Sequence, residues 1–379
     1  PVDRQWTIQP YNRTALRASV APGAGGRLRV VPLPRDGRSR AIATAALYEA
    51  EVPAFGEHIV VVKIPFVTLG DEPARVLVHR LDTETKLHQT VSYWRQLIAQ
   101  GAKVTVPDPV INDFFQAVMA HVAITVDRDP DTGLFMVPAA TYRYGTCANE
   151  SCLQIRQLDW RGYHDRARAY LETFLKTQGW RPLDGRFRTQ EGVLRGLDIY
   201  GEEVRGNFNY NLDHGFVMRQ LAEHYWLTRD REWAWRWAPN FVAACDFIVR
   251  EREATKRLDP NGERVPEYGL LPAGHLEDNP EWRYWYAVNA WAYGGLRDLA
   301  AVLAEIGHPE AERLQKEAEA YRADILASLE RARRESPVVR LLDGTAIPHT
   351  PTRAGLRGRA WGWFREGAYG PLHLVDNDL

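Results

Sequence analysis

The sequence predicts a mainly α-helical protein. A β-rich N-terminal segment comes first in the chain, and paired inner and outer helices that form a ring follow it. Short β-rich runs separated by Gly/Pro-rich breaks occupy roughly the first 80 residues. Helical periodicity follows from Ile111 onward. The helices alternate between apolar sequences rich in Trp, Gly, Ala and His and strongly amphipathic sequences. Buried inner helices covered by amphipathic outer helices would produce this alternation.

The N-terminal segment carries several candidate strands. They are residues 27–32, 41–52, 58–67 and the alternating run RVLVHR at residues 75–80. Together they predict a partial antiparallel β-sandwich over residues 1–82. The pattern then changes to a helical period in TETKLHQTVSYWRQLIAQ, with Thr83 as its expected cap. We therefore assign residues 83–106 to a linker helix region and residues 107–379 to the helical domain.

Long loops precede the apolar helices, and this predicts where a functional site lies. The inner helices are expected near residues 212–227 and 284–306, and an amphipathic outer helix near residues 309–334. The long loops are residues 127–150, 179–210, 254–283 and 335–368. Because each precedes an inner helix, these loops are expected to gather on one face and to carry the site.

The overall composition is that of a soluble globular enzyme. The chain has 379 residues, a formal net charge of −1, 45% hydrophobic residues and 26% charged residues. Near-neutral charge provides no general attraction to nucleic acid or to an anionic membrane, so neither is expected as a partner. No apolar run approaches the roughly 20 residues of a membrane span.

Cysteine usage leaves two alternatives open. Cys147 and Cys152, in CANESC, could form a disulfide in an exported protein or remain buried thiols. No His/Cys cluster has zinc-ligand spacing, so we expect neither metal nor cofactor. The chain starts at Pro1 without a signal peptide and stops within an apparent helix start, so we expect a fragment. Exported and cytoplasmic locations both remain open, as does the oligomeric state.

The most informative stretch for function is EYGLLPAGHLEDNPEWRYWYAVNAWAYGGLRDLAA, residues 267–301. Its Gly/Pro-rich loop carries two adjacent acids, Glu277 and Asp278, and Trp282 and Trp285 follow closely. A carboxyl group can protonate a glycosidic oxygen, while indole rings accept the apolar faces of sugars. We expect Asp278 to be the general acid, with Glu277 as the second candidate. Alternatively, one of them caps a helix beginning near Pro280.

Further candidate substrate-binding residues lie at or near the starts of inner helices. They are Tyr144, Asn149, Glu150, Tyr210, Asp213, His214, Trp282, Trp285, Trp363 and Glu366. Asp213 could instead cap its own helix, and His214 could be a hydrogen-bonded core histidine. About half of the 13 tryptophans are expected to fill the core between helices.

Several stretches resemble the six-hairpin glycosidases, which include glucoamylases, α,α-trehalases, α-L-rhamnosidases and processing α-glucosidases. The stretches are WRQLIAQGAKVTVPDPVINDFFQAVMAH, TYRYGTCANESCLQIRQLDWRGYHDRARAYLETFLKTQG, NYNLDHGFVMRQLAEHYWLTRD and EYGLLPAGHLEDN. The resemblance implies an (α/α)6 toroid, incomplete with about eight helices, preceded by a β-sandwich and a linker helix. It also implies a general acid in the last of these stretches and a catalytic base beyond residue 379, so that the fragment alone would be inactive.

One departure from the resemblance bears on specificity. Glucoamylase-like sequences have an Arg-Asp pair where this chain has Cys147-Ala148-Asn149-Glu150. This argues against a simple α-glucosidase. The expected function is hydrolysis of a glycoside, oligosaccharide or polysaccharide, with inversion and general acid–base catalysis. The alternatives are a phosphorylase, epimerase or lyase on the same toroid, or a non-catalytic carbohydrate-binding scaffold.

Overall fold

The computed structural model describes residues 4–8, 15–21, 26–32, 44–64, 72–140, 145–200, 203–206, 210–277, 279–357 and 367–379. The chain divides into two compact units, Pro1–Gln96 and Leu97–Leu379. No helix within the described residues is long and apolar enough to cross a membrane.

The first unit contains antiparallel strands and the first helix. The strands are β1 (Arg4–Ile8), β2 (Ala15–Ala21), β3 (Arg27–Pro32), β4 (Thr44–Glu49) and β5 (Val61–Lys63). They form a three-stranded sheet in the order β1-β2-β5 and a separate β3-β4 ribbon. The ribbon pairs Arg27 with Glu49 and Pro32 with Thr44, so that residues 27–32 are a strand as predicted.

The prediction of a strand at residues 75–80 is wrong. These residues belong to α1 (Glu72–Arg80), because Pro73 favours a helix start and His79 and Arg80 complement the negative end of the helix dipole. Lys63 Nζ also donates to the carbonyl oxygens of His79 and Leu81, both at 2.6 Å. Six alternating residues are too few to separate a strand from a short helix.

A long helix, α2 (Thr83–Gln100), follows at the predicted position. Its cap differs from the expectation by one residue. Asp82, rather than Thr83, accepts a hydrogen bond from the backbone N–H of Thr85 at 2.8 Å. The bonds from Thr85 lower the pKa of the Asp82 carboxyl.

The second unit is built from helices in succession. They are α3 (Pro109–Thr125), α4 (Ala148–Trp160), α5 (His164–Lys176), α6 (Asp213–Thr228), α7 (Arg231–Arg252), α8 (Tyr286–Ile306), α9 (Ala311–Glu335) and α10 (Pro371–Val375). In α8 every residue from Tyr286 to Leu296 is buried, whereas α9 buries one stripe that includes Leu314, Tyr321 and Ile325. The predicted alternation of buried and amphipathic helices is therefore confirmed.

The inner helices α6 and α8 pack closely because glycines line their contact. A Cβ atom on Gly215 would lie 2.2 Å from backbone atoms of Trp291. A Cβ on Gly295 would lie 2.7 Å from the Cβ of Met218. Small residues at these positions allow the two backbones to approach each other and hold the N-terminal ends of the helices together.

Short two-stranded ribbons occupy the loops between helices. They are β6 (Asp127–Arg128) with β7 (Phe135–Met136), β8 (Leu197–Tyr200) with β9 (Glu203–Gly206), β10 (Gly274–Leu276) with β11 (Asn279–Arg283), and β12 (Val338–Arg340) with β13 (Ala346–Pro348). All three cysteines are buried free thiols, so Cys147 and Cys152 are not bridged.

Candidate functional site

Asp213 holds the N-terminal ends of two inner helices together. It is the first residue of α6, and its carboxylate accepts hydrogen bonds from the backbone N–H groups of Ala148 and Asn149 in α4, each at 3.1 Å. It therefore caps α4, whose own N-cap residue, Cys147, makes no side-chain capping bond. The alternative that Asp213 caps its own helix is wrong, because the N-cap of α6 is Leu212.

The surroundings of Asp213 oppose its ionisation. The residue is 1% exposed, and burial raises the pKa of its carboxyl to about 7. The hydrogen bonds from Asn149 and Ala148 and the positive charge of Arg195 act in the opposite direction. Arg195 is itself buried, and burial lowers the pKa of its guanidinium. Asp213 can thus change its protonation state near neutral pH.

Acceptor atoms without partners surround this capped helix end. Asn149 Oδ1 and Glu150 Oε2, in the first turn of α4, are buried and have no hydrogen-bond partner within the described residues. The same is true of Thr146 Oγ1, just before α4, and of Asn211 Oδ1, just before α6. Buried polar atoms are normally satisfied, because leaving one unpaired costs about 1–3 kcal/mol. These four atoms are suited to accept hydrogen bonds from the hydroxyl groups of a ligand.

Glu277, one of the two predicted acids, lies in the turn of a β-hairpin. Strands β10 and β11 pair antiparallel, with Leu276 opposite Asn279 and Gly274 opposite Arg283. The expectation of a helix beginning near Pro280 is therefore wrong, and α8 begins only at Tyr286. Glu277 forms part of the tight turn with a φ of 46°, a left-handed conformation that is uncommon for a residue other than glycine. Asp278 lies outside the described residues.

The base of the hairpin contacts the segment that leads into α6. A Cβ on Gly274 would lie 1.9 Å from Asn211 Nδ2, so only glycine fits beside this amide. Asn211 Nδ2 in turn donates to the carbonyl oxygen of Asp184 at 2.8 Å. Gly274 also forms a β-bridge with Gly185. The hairpin that carries Glu277 is thereby fixed close to Asp213, which follows Asn211 by two residues.

Buried side chains hold the loop that leads to the hairpin. Asn289 Oδ1, in the first turn of α8, accepts from the backbone N–H of Leu271 at 2.8 Å and from the Tyr321 hydroxyl at 2.7 Å. Arg252 Nε donates to the carbonyl oxygen of Gly269 at 2.8 Å and stacks on the Tyr321 ring. The loop is therefore anchored on α7, α8 and α9, and a rigid support of this kind favours a site with defined geometry.

The two candidate tryptophans have different environments. Trp282, on β11, is 45% exposed and makes an edge contact with His275 at 6.1 Å between ring centroids. Trp285 is 1% exposed, and its indole N–H donates to the carbonyl oxygens of Gly274 at 3.0 Å and Glu281 at 3.2 Å. Trp285 thus supports the hairpin from inside and offers no open face to a sugar. The expectation that it forms a sugar platform is corrected accordingly.

His214 belongs to the core rather than to a binding surface. It is 1% exposed, and its Nδ1 accepts from the backbone N–H of Leu194 at 3.0 Å. Its Nε2 lies 3.2 Å from the carbonyl oxygen of Ala244, so the neutral ring carries its proton on Nε2. Burial lowers the pKa of His214 to about 4. The expectation of a substrate contact by His214 is corrected, because both ring nitrogens are engaged by the backbone.

The structure brings some of the residues predicted from the sequence close together. The adjoining starts of α4 and α6 carry Asn149, Glu150, Asp213 and the half-buried Tyr210. Three further candidates lie outside the described residues, namely Tyr144, Trp363 and Glu366.

Sequence reasoning missed several polar residues of this region, namely Thr146, Arg195, Asn211 and His275. Asn211 and His275 lie inside stretches already singled out, NYNLDHG and AGHLED, but nothing in their local pattern distinguishes them.

Solved glycosidases provide the comparison for this fold. A bacterial glucoamylase complexed with acarbose matches with a TM-score of 0.51 and 12% identity, covering 93% of this chain and 51% of its own. A metal-independent α-mannosidase from Streptococcus pneumoniae matches with a TM-score of 0.44 and 12% identity, over 71% of this chain and 68% of its own. A family 78 rhamnosidase from Bacillus sp. GL1 matches with a TM-score of 0.41 and 12% identity, over 91% of this chain and 35% of its own.

No protein-family model matches the sequence, and no curated protein matches it significantly. The chain spans about half of the glucoamylase chain, and at 12% identity that likeness concerns the fold alone. The resemblance to the six-hairpin glycosidases is confirmed at this level: the chain has the fold of the (α/α)6-barrel glycosidases.

Proposed function

We propose that this chain belongs to a glycoside hydrolase, in which the β10–β11 hairpin supplies the general acid. The main support is the set of unpaired buried acceptors at the starts of α4 and α6, next to the base of that hairpin. Sugars are rich in hydroxyl donors, so they match a site whose spare hydrogen-bonding capacity consists of carbonyl, carboxylate and hydroxyl oxygens. The glycosidase fold is consistent with this assignment.

In the proposed reaction, Asp278 protonates the glycosidic oxygen as the bond to the anomeric carbon breaks. A second carboxylate activates the water that attacks the opposite face of the sugar, which inverts the anomeric configuration. In inverting enzymes the two carboxyl groups lie about 6.5–9.5 Å apart, which leaves room for this water. Glu277, as the neighbouring acid, is the alternative proton donor.

Substrate binding is assigned to the groups around the acid. Asn149, Glu150 and Tyr210 would contact sugar hydroxyl groups, and the exposed face of Trp282 would stack against a sugar ring. Tyr144, Trp363 and Glu366 retain their predicted binding roles. Asp213 is assigned a positioning role, because its carboxylate holds the end of α4 that presents Asn149 and Glu150.

The test is a product analysis with the full-length gene product. The protein is incubated with a panel of α- and β-linked aryl glycosides and oligosaccharides. The anomeric configuration of the newly released sugar is followed by NMR. Release of sugar with the anomeric configuration opposite to that of the substrate supports an inverting hydrolase. Retained configuration contradicts inversion. Sugar release that requires inorganic phosphate would identify a phosphorylase. An unsaturated sugar product would identify a lyase, and binding without turnover would identify a non-catalytic scaffold.

A further inference from the structure

A second polar cluster lies at the opposite end of α4 from the proposed active site. Asp159 is the penultimate residue of α4, ten residues and thus roughly 15 Å along the helix from Asn149. His164 is the first residue of α5, just across the tight turn, and His224 lies in α6. The cluster therefore joins the α4–α5 hairpin to the neighbouring inner helix.

Both histidines direct the same ring atom at one carboxylate. His164 Nδ1 lies 3.0 Å from Asp159 Oδ1, and His224 Nδ1 lies 2.9 Å from Oδ1 and 3.0 Å from Oδ2. The two imidazole rings are 6.4 Å apart between centroids and inclined at 62°. One possible ligand atom from each of the three residues lies within 4.8 Å of the other two. Only a proton or a cation between them makes such an arrangement of nitrogen and carboxylate oxygen atoms stable.

Buried polar atoms without partners in the described part of the chain lie beside this cluster. Its side chain is fully buried, and Nε2 has no hydrogen-bond partner among the residues that the structure describes. Gln220, one helical turn earlier on the same face of α6, is also fully buried, and neither its amide oxygen nor its amide nitrogen is paired there. With the ring proton on Nε2, the Nδ1 lone pair of His224 would be directed at the Asp159 carboxylate and could bind a cation placed between them.

The separations of the three ligand atoms are close to those of a metal site. Zn–N and Zn–O distances of about 2.0–2.2 Å correspond to ligand–ligand separations of about 3.3–3.5 Å in a tetrahedral site. The observed separations of 2.9 and 3.0 Å would need to widen by only a few tenths of an ångström.

We infer that Asp159, His164 and His224 form a Zn²⁺ site that fastens the α4–α5 hairpin to α6. The donor set of two imidazoles and one carboxylate is borderline in softness, which suits zinc better than magnesium or calcium. The side chain of His164 is 37% exposed, so a water molecule can reach the fourth position from solvent. Sequence spacing gives no indication of this site, because its three ligands come from three helices.

The test measures zinc binding to tag-free protein after EDTA treatment and dialysis. Isothermal titration with ZnCl₂ is expected to give one Zn²⁺ per chain, and thermal unfolding should shift upward with Zn²⁺ but not with Mg²⁺. Co²⁺ should give the visible absorption bands of a four-coordinate site. Replacement of His164 by Gln should weaken Zn²⁺ binding at least tenfold. Replacement of the exposed His121 on α3 by Gln is the matched control and should leave binding unchanged.

Asp159→Asn provides a second, independent variant. Asparagine keeps an oxygen that accepts from both Nδ1–H groups, so a purely hydrogen-bonded cluster would tolerate it, whereas the zinc site would lose its charged ligand. The inference is overturned if the wild-type protein binds no stoichiometric Zn²⁺, or if both His164→Gln and Asp159→Asn bind it like the wild type. Neither result would bear on glycoside hydrolysis, which is measured separately.

Discussion

Asp213 in α6 accepts a hydrogen bond from the backbone N–H of Asn149 in α4, at 3.1 Å. This bond and its partner from Ala148 connect two inner helices at the end where the hairpin base also lies. Because the Asp213 carboxylate is fully buried, its ionised form loses contact with water. This desolvation cost opposes the stabilisation that the two hydrogen bonds give to the end of α4. The arrangement has consequences for stability that depend on pH.

The first prediction concerns Asp213→Asn. Burial raises the pKa of Asp213 from its ordinary value of 3.8 to about 7, so the folded protein binds more protons than the unfolded chain between these values. This residue's contribution to stability is therefore fully present below pH 4 and is lost as the pH rises to about 7, by an amount on the order of a few kcal/mol.

Asparagine does not titrate, so the Asp213→Asn variant should lack this loss. Urea unfolding at a series of pH values from 4 to 8 measures it as the difference in unfolding free energy between variant and wild type. The free energy of unfolding of the variant should increase relative to that of the wild type as the pH rises. A difference that stays constant across this range would show that Asp213 ionises normally in the folded protein.

The second prediction concerns the neighbouring residue, His214, where the sign is opposite. Burial lowers the pKa of His214 from 6.5 to about 4, so the unfolded chain binds the extra proton between these values. The stability that the neutral ring contributes is present above pH 6.5 and is lost as the pH falls to about 4.

His214→Asn keeps an acceptor for the Leu194 N–H but should destabilise the protein at pH 7.5, because the bond to Ala244 and the packing against Phe247 are lost. The deficit should shrink as the pH falls toward 4, as measured by urea unfolding. His121→Asn, at an exposed position, serves as the control for the replacement of a histidine. A deficit independent of pH would mean that the buried ring does not resist protonation.

The helical framework could be predicted from the sequence because it depends on local periodicity. The apolar pattern at residues 284–306 predicted a buried helix, and α8 covers Tyr286–Ile306. The hairpin before it could not be predicted in the same way. Pro280 and the acids before it are typical of a helix start, but the turn at Glu277 and the contact of Gly274 with Asn211 favour paired strands.

The candidate site was predictable as a region but not as a set of contacts. The long loops indicated which helix ends would carry it, and their described parts do meet, as in the bridge between Gly185 and Gly274. The role of Asp213 was missed because its hydrogen-bond partners lie in another helix. The sequence alone shows only that Asp213 stands at the start of its own helix, which it could cap. Trp285 was assigned to a surface because sequence shows an aromatic residue on a loop but not its burial.

The third prediction concerns the fit of the hairpin base. In Gly274→Ala the new methyl group would lie 1.9 Å from Asn211 Nδ2 and 2.9 Å from the Asp184 carbonyl oxygen, so Asn211 must move. Overpacking of this kind typically costs about 1–3 kcal/mol. Urea unfolding should show this loss for Gly274→Ala and not for Gly367→Ala, where no atom of the described residues lies within 4 Å of the added atom. Equal stability of both variants would contradict the close contact.

The fourth prediction concerns Trp282 as a sugar platform. Replacement by Ala should weaken the binding of an oligosaccharide substrate about tenfold or more, which corresponds to roughly 1.4 kcal/mol of lost stacking. Trp235 on α7, 53% exposed against 45% for Trp282, is a matched control, and Trp235→Ala should leave binding unchanged. Titration calorimetry with the preferred substrate or its product measures both. Similar affinities for the two variants would remove Trp282 from the binding site.

The last prediction concerns the proton donor of the hairpin. In the full-length gene product, Asp278→Asn should lower kcat about 10²–10⁴-fold for a substrate with a poor leaving group, because the departing oxygen then receives no proton in the transition state. An activated aryl leaving group needs little protonation, so the same variant should lose much less of its kcat on such a substrate. Glu277→Gln, at the adjacent position of the turn, is the matched control and should affect both substrates alike. If the dependence on the leaving group appears in Glu277→Gln instead, Glu277 is the general acid. If neither variant shows it, the proton comes from outside this hairpin.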